Sequence, residues 1–128
     1  MDKPHSSRAA EGRAWRQVIG GRQADALSGE RLDVACPSNG ENFASIPAAG
    51  KEDIDLAVRA ARTAFDDGPW SKTPAVERGR LLTRLGLLVE KHGEELAALE
   101  SRDTGKPARQ GKADVTATMR YYEFYGGA

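Results

Sequence analysis

Residues 53–107 read DIDLAVRAARTAFDDGPWSKTPAVERGRLLTRLGLLVEKHGEELAALESRDTGKP. Ile54, Ala57, Val58, Ala61, Ala64 and Phe65 recur at the i, i+3, i+4, i+7 spacing that predicts one buried helix face. Asp66-Asp67-Gly68-Pro69 ends that helix, since Gly leaves a helix cheaply and Pro cannot continue it. Pro74 is pre-set for the first turn of a second helix, with Thr73 as the expected N-cap. Its apolar stripe is Leu81, Leu82, Leu85, Leu88 and Val89, with Arg78, Arg80, Arg84 and Lys91 elsewhere on it. Gly93 marks a break. Leu96, Ala97, Leu99 and Glu100 then carry a short third helix into Asp103-Thr104-Gly105-Lys106-Pro107.

Outward from this stretch, helices are predicted at about 52–66, 74–92, 94–102 and 108–125, so the chain is mostly helical after residue 50. Upstream, residues 1–14 show no consistent apolar face and are expected to form a disordered tail, with ordered structure over 15–128. Gly20-Gly21 and Ser28-Gly29 read as turns between short extended pieces. Leu32, Val34 and Cys36 alternate with Arg31, Asp33 and Ala35, a period-2 strand. Asn39-Gly40 is a tight-turn dipeptide because both residues tolerate positive φ. Phe43–Ile46 return as a second strand, which makes Arg31–Pro47 an antiparallel hairpin. The last helix carries Val115, Met119, Tyr122 and Phe124-Tyr125, and its C-terminal turn is crowded with aromatics. Tyr121, Tyr122, Phe124 and Tyr125 surround more of the helix than one neighbour can cover. They read as core, or as an interface that wants a partner.

Composition narrows the function classes. The chain has 128 residues, enough for one domain at most. Its 19 basic and 19 acidic residues cancel, which argues against a nucleic-acid or membrane-surface partner. No apolar run reaches the roughly 20 residues that a bilayer requires, and the first residues lack a secretory h-region. The single cysteine, Cys36, cannot form an internal disulfide and fits a reducing cytoplasm.

The segments AVRAARTAFDDGPW, ERGRLL and ELAALESRDTGKP, in this order and at these separations, resemble the N-terminal part of the aldehyde dehydrogenase superfamily. Pro37-Ser38-Asn39-Gly40-Glu41 resembles that family's Asn-Pro-x-x-Gly-Glu turn, with Cys36 where Asn is usual. Arg120-Tyr121-Tyr122 resembles its aromatic helix end. The resemblance covers roughly Ile19 to Ala128. It implies an α/β fold: N-terminal strands and a helical layer that buttress a Rossmann-like NAD(P)-binding domain, incomplete over this span. It also implies an oxidoreductase that turns an aldehyde substrate into a carboxylic acid with NAD or NADP, and a homo-oligomer. Nucleotide-contacting strands and the catalytic cysteine, glutamate and asparagine of such enzymes come later than position 128. No catalytic or cofactor-binding residue is therefore expected here, and the chain by itself should be inactive scaffold.

Individual residues support that division. Family members attack the aldehyde with a cysteine thiolate, but Cys36 stands at the strand-turn position and reads as a small, half-buried strand residue. Gly20-Gly21 and Gly126-Gly127 lack the G-x-G-x-x-G spacing and a following helix. His5 and His92 have no partner at metal or triad spacing, and His92 suits a helix C-terminus. The acidic pairs, among them Asp53 with Asp55, suit helix starts and a turn. Arg78, Arg80 and Arg84 read as a solvated face. By resemblance, Asp103 matches an aspartate that helps hold a structural monovalent cation in some family members, along with carbonyls near Ala35. The plainer reading is that Asp103 bonds backbone N–H groups of its own turn. Two other roles remain open from the sequence: a stand-alone helical interaction module, or an assembly partner of full-length dehydrogenase subunits.

Overall fold

The computed structural model describes residues 13–128, so His5 and most of the expected tail lie outside the described residues. The chain divides into two compact units, one ending at Arg62 and the other running over Thr63–Ala128. The first unit holds strands β1 (Arg13–Ala14), β2 (Gln17–Ile19), β3 (Arg22–Ala24), β4 (Arg31–Ala35) and β5 (Asn42–Pro47), and most of helix α1 (Lys51–Asp66). Arg13 and Ala14, placed in the tail from sequence, form a short strand parallel to β5. The polarity that makes them look disordered is compatible with an edge strand, which needs only a partner backbone.

β4 and β5 form the expected antiparallel hairpin, from Arg31 opposite Pro47 to Ala35 opposite Asn42. The register slips between Val34 and Ala35, so Phe43 is the extra residue of a bulge. Phe43 and Ala44 pack with Cys36 in the buried core, flanked by Trp15 and Val34. Cys36 is only 8% exposed, more buried than the half-buried expectation, because the bulge turns Phe43 onto it. Arg31 ties the sheet to its surroundings: it donates to Asp25 Oδ1 and the Trp15 carbonyl at 2.6 Å each, and to Ser45.

Two turns of this unit are made differently. β2 and β3 are joined by Gly20-Gly21 at φ 58° and 75°, the pair of positive angles that a two-residue hairpin turn of matching twist demands. The β4–β5 connection is longer than the two-residue turn expected at Asn39-Gly40. Cys36 N–H bonds the Glu41 carbonyl at 2.9 Å, closing a loop of Pro37, Ser38, Asn39 and Gly40. The Cys36 carbonyl accepts from both Asn39 N–H and Gly40 N–H, and only Gly40 has positive φ. Pro37 decides this, since its fixed φ suits the second position of such a turn.

The second unit is helical: a single 3-10 turn at Trp70–Lys72, then α2 (Ala75–Lys91), α3 (Gly93–Thr104) and α4 (Ala108–Gly127). Each helix lies where the sequence placed it, within two residues at either end. The expected cap of α2 is not made. Pro74 is the N-cap, and the Thr73 hydroxyl donates instead to the Pro69 carbonyl at 2.8 Å. Gly105, at φ 75°, ends α3 in the left-handed conformation.

α2 and α4 pack antiparallel along a seam of glycines. A Cβ on Gly79 would strike the Gly126 carbonyl, and one on Gly86 would meet Met119 and Tyr122 at 3.3 Å. Gly111 makes the same close approach to Ala97 of α3. The covered face of α2 is therefore Gly79, Leu82, Gly86 and Val89, while Leu81, Leu85 and Leu88 of the predicted stripe are exposed. The α1 face is also corrected: Ile54, Val58 and Phe65 are exposed.

Candidate functional site

Asp103 lies exposed in the last turn of α3. The bonds that order this turn come from its neighbours. Thr104 Oγ1 donates to the Glu100 carbonyl at 2.7 Å and accepts from Lys106 N–H at 3.4 Å. Lys106 Nζ reaches Glu100 at 2.6 Å and Asp114 at 2.8 Å, clamping the ends of α3 and α4 together. Asp114 first, then Glu100, holds the Lys106 ammonium above its ordinary range. The turn-ordering role assigned to Asp103 thus falls to Thr104 and Lys106. Asp103 is in the second unit and Ala35 in the first. Among the described residues no cluster of three His, Cys, Asp or Glu could hold a metal ion.

Sequence reasoning missed Asp53 as more than a helix-dipole acid. It is 3% exposed and accepts from three separate segments: Gly50 N–H at 3.0 Å, Leu27 N–H at 3.1 Å and Gln17 Nε2 at 3.1 Å. These donors, the Gly50 N–H foremost, hold its carboxyl below the ordinary carboxylate range against the opposing effect of burial. The spacing from Gly50 to Asp53 is that of an N-cap and its third helical residue, a signal present in the sequence. Arg78, read as solvated, is half-buried; it donates to the Thr73 carbonyl at 2.7 Å and lies 6.0 Å from the Trp70 ring. Arg80 pairs with Glu77 at the surface, and His92 Nδ1 is 3.7 Å from Glu95.

An open groove lies along α4. Tyr121, Phe124 and Tyr125 are 65%, 68% and 62% exposed, with Phe124 and Tyr125 edge to face at 5.2 Å. With Ala113, Thr116, Ala117 and Arg120 they line an open groove of about 650 Å³. Tyr122, the fourth aromatic, turns the other way and packs at Gly86. The cluster that looked ambiguous in sequence therefore splits into one packed tyrosine and three exposed rings.

Acidic residues stand in the first turns of α1 (Glu52, Asp53), α2 (Glu77) and α3 (Glu94, Glu95), whereas the first turn of α4 has none. Among the described residues no helix is long and apolar enough to cross a membrane.

Residues 24–128 match the aldehyde dehydrogenase family. Aldehyde dehydrogenase family 2 member B4, mitochondrial, of Arabidopsis thaliana is 46% identical over 111 residues, 86% of this chain and 21% of that relative. The NAD-dependent aldehyde dehydrogenase of Sinorhizobium meliloti superposes with a TM-score of 0.89 at 32% identity, over 98% of this chain and 25% of that one. An aldehyde dehydrogenase of Bacillus cereus, solved as its NAD+ complex, gives 0.86 at 36% identity, over 99% of this chain and 26% of that one. The chain thus spans about a fifth to a quarter of the length of its relatives. On its sequence and its fold alike, the chain belongs to the aldehyde dehydrogenase family and corresponds to the N-terminal part of its members.

Proposed function

We propose that this chain is the scaffold portion of an NAD(P)-dependent aldehyde dehydrogenase, an enzyme that oxidises an aldehyde to a carboxylic acid. The observation that carries this reading is the superposition of nearly the whole chain, strands and helices together, on an NAD-dependent member at a TM-score of 0.89. Bound nicotinamide would supply the hydride acceptor. The chain's own residues do the holding: Asp53 fixes the start of α1 to the strand segments, and the glycine seam and Lys106 fix the three later helices.

Chemistry is assigned elsewhere. Cys36, the only thiol, is buried beneath Phe43 in the sheet core, which does not suit an attacking thiolate. The carboxylate of Asp103 remains a proposed ligand to a structural monovalent cation, as one oxygen of a set that this turn does not complete. Exchanging sodium for choline should then lower the enzyme's thermal stability; no change would remove that role. The relatives above are named as dehydrogenases, so a stand-alone interaction module has no support from them.

The test is to isolate the protein from its source by affinity for residues 51–107 and supply aldehydes with NAD+ or NADP+. Aldehyde-dependent formation of reduced nicotinamide is the expected result. A homogeneous preparation that reduces neither cofactor with aliphatic, aromatic or betaine aldehydes would overturn the reading.

A further inference from the structure

We infer that Asn39 is a self-modifying site, at which the chain loses an amide and converts its β4–β5 loop to an aspartyl or isoaspartyl form. Asn39, Gly40 and Glu41 are all exposed to water. Gly40 has no side chain to shield its backbone nitrogen from the preceding asparagine. The Asn39 side chain is already polarised: Oδ1 accepts from Glu41 N–H at 3.1 Å, and Nδ2 donates to Glu41 Oε2 at 2.8 Å. The first bond draws electron density from Cγ and makes it a better electrophile.

The step balances with solvent alone. Hydroxide removes the Gly40 amide proton, and the nitrogen attacks Asn39 Cγ. The new N–Cγ bond closes a five-membered imide, the Cγ–Nδ2 bond breaks, and Nδ2 leaves as ammonia. Water then opens the ring at either carbonyl, giving aspartate or isoaspartate without oxidation or reduction. The loop also carries a brake. Gly40 N–H bonds the Cys36 carbonyl at 2.7 Å, and that bond must open before attack.

The products loosen the loop. Aspartate loses the Nδ2 donor and sets a second carboxylate beside Glu41, where like charges repel. Isoaspartate adds a backbone carbon inside the loop that Cys36 N–H and the Glu41 carbonyl close at 2.9 Å. Cys36 belongs to the buried core, so the change at the surface is transmitted to packed residues. Asn42 is the internal control: it is also exposed, but it is followed by Phe43 and paired in β5 opposite Ala35.

The experiment holds the intact protein at mildly alkaline pH, digests it with trypsin and follows residues 32–51 by mass spectrometry. Conversion should appear at Asn39 before Asn42, with both acid products. Its rate should fall about 2- to 10-fold below that of the same segment as a free peptide, the factor set by opening one hydrogen bond. Asn39→Gln, which keeps an amide, should abolish the signal. Retention of the Asn39 amide after the free peptide has fully converted would overturn the inference. So would equal conversion at Asn42, or a signal that persists in Asn39→Gln.

Discussion

A carboxylate that accepts from three chain segments, as Asp53 does from Gly50, Leu27 and Gln17, cannot be replaced without stranding donors. Asn at this position keeps one acceptor oxygen but puts an N–H₂ group against a backbone N–H. Asp53→Asn should therefore lower the melting temperature more than the exposed Asp67→Asn, and thermal denaturation of both variants checks this. The sign of the pH effect follows from the depressed pKa. The contribution of Asp53 is fully present above the ordinary carboxylate range and is lost as pH falls through its lower folded value. The acid limb of the stability curve should flatten in Asp53→Asn, because the depressed carboxyl is the group removed. Cys36→Ser should leave turnover of the full enzyme intact, and a large loss of turnover would return Cys36 to the chemistry. Much of this scale was hidden in sequence. Asp53 and Asp103 are both acids near helix ends; the spacing that marks Asp53 accounts for its Gly50 bond but not for the distant donors Leu27 and Gln17. Asn39-Gly40 announced a turn, but the preceding Pro37 decided which turn.

The helices were legible because their ends are written in Pro and Gly. Pro74 and Pro107 open α2 and α4, Gly105 closes α3, and these signals need no tertiary context. Which face each helix buries was less legible. A count of apolar residues favours the leucines of α2, yet the packed face is built on Gly79 and Gly86, which add no hydrophobicity to any periodicity. Close backbone approach selects glycine for its missing Cβ, and only the partner helix reveals it. Gly79→Ala should cost about 1–3 kcal/mol, because a Cβ would meet the Gly126 backbone rather than a side chain that can move. Gly127→Ala has open space and should change stability by less than about 0.5 kcal/mol. Urea unfolding of the two variants separates packing from helix propensity, which alone would favour Ala at both. Equal effects would mean that the seam does not select glycine.

At the scale of the whole chain, apolar surface exceeds what these residues cover. Ile54, Val58 and Phe65 on α1, Leu81, Leu85 and Leu88 on α2, and Tyr121, Phe124 and Tyr125 on α4 are all exposed. Patches of this kind promote association. The 128-residue chain alone should therefore bind a hydrophobic dye and self-associate in sedimentation. Replacing Tyr121, Phe124 and Tyr125 with Ser should reduce both, with little loss of helix signal. A chain that stays monomeric and dye-free would contradict that view of the exposed faces. The family could be read from the sequence because several separate segments agree over nearly the whole length. The reaction's own residues could not, since on the proposed reading they lie beyond this span. If these residues are the scaffold of a longer dehydrogenase polypeptide, the protein captured from its source should have an intact mass several times the 13.8 kDa of these 128 residues. An intact mass of 13.8 kDa would overturn the scaffold reading.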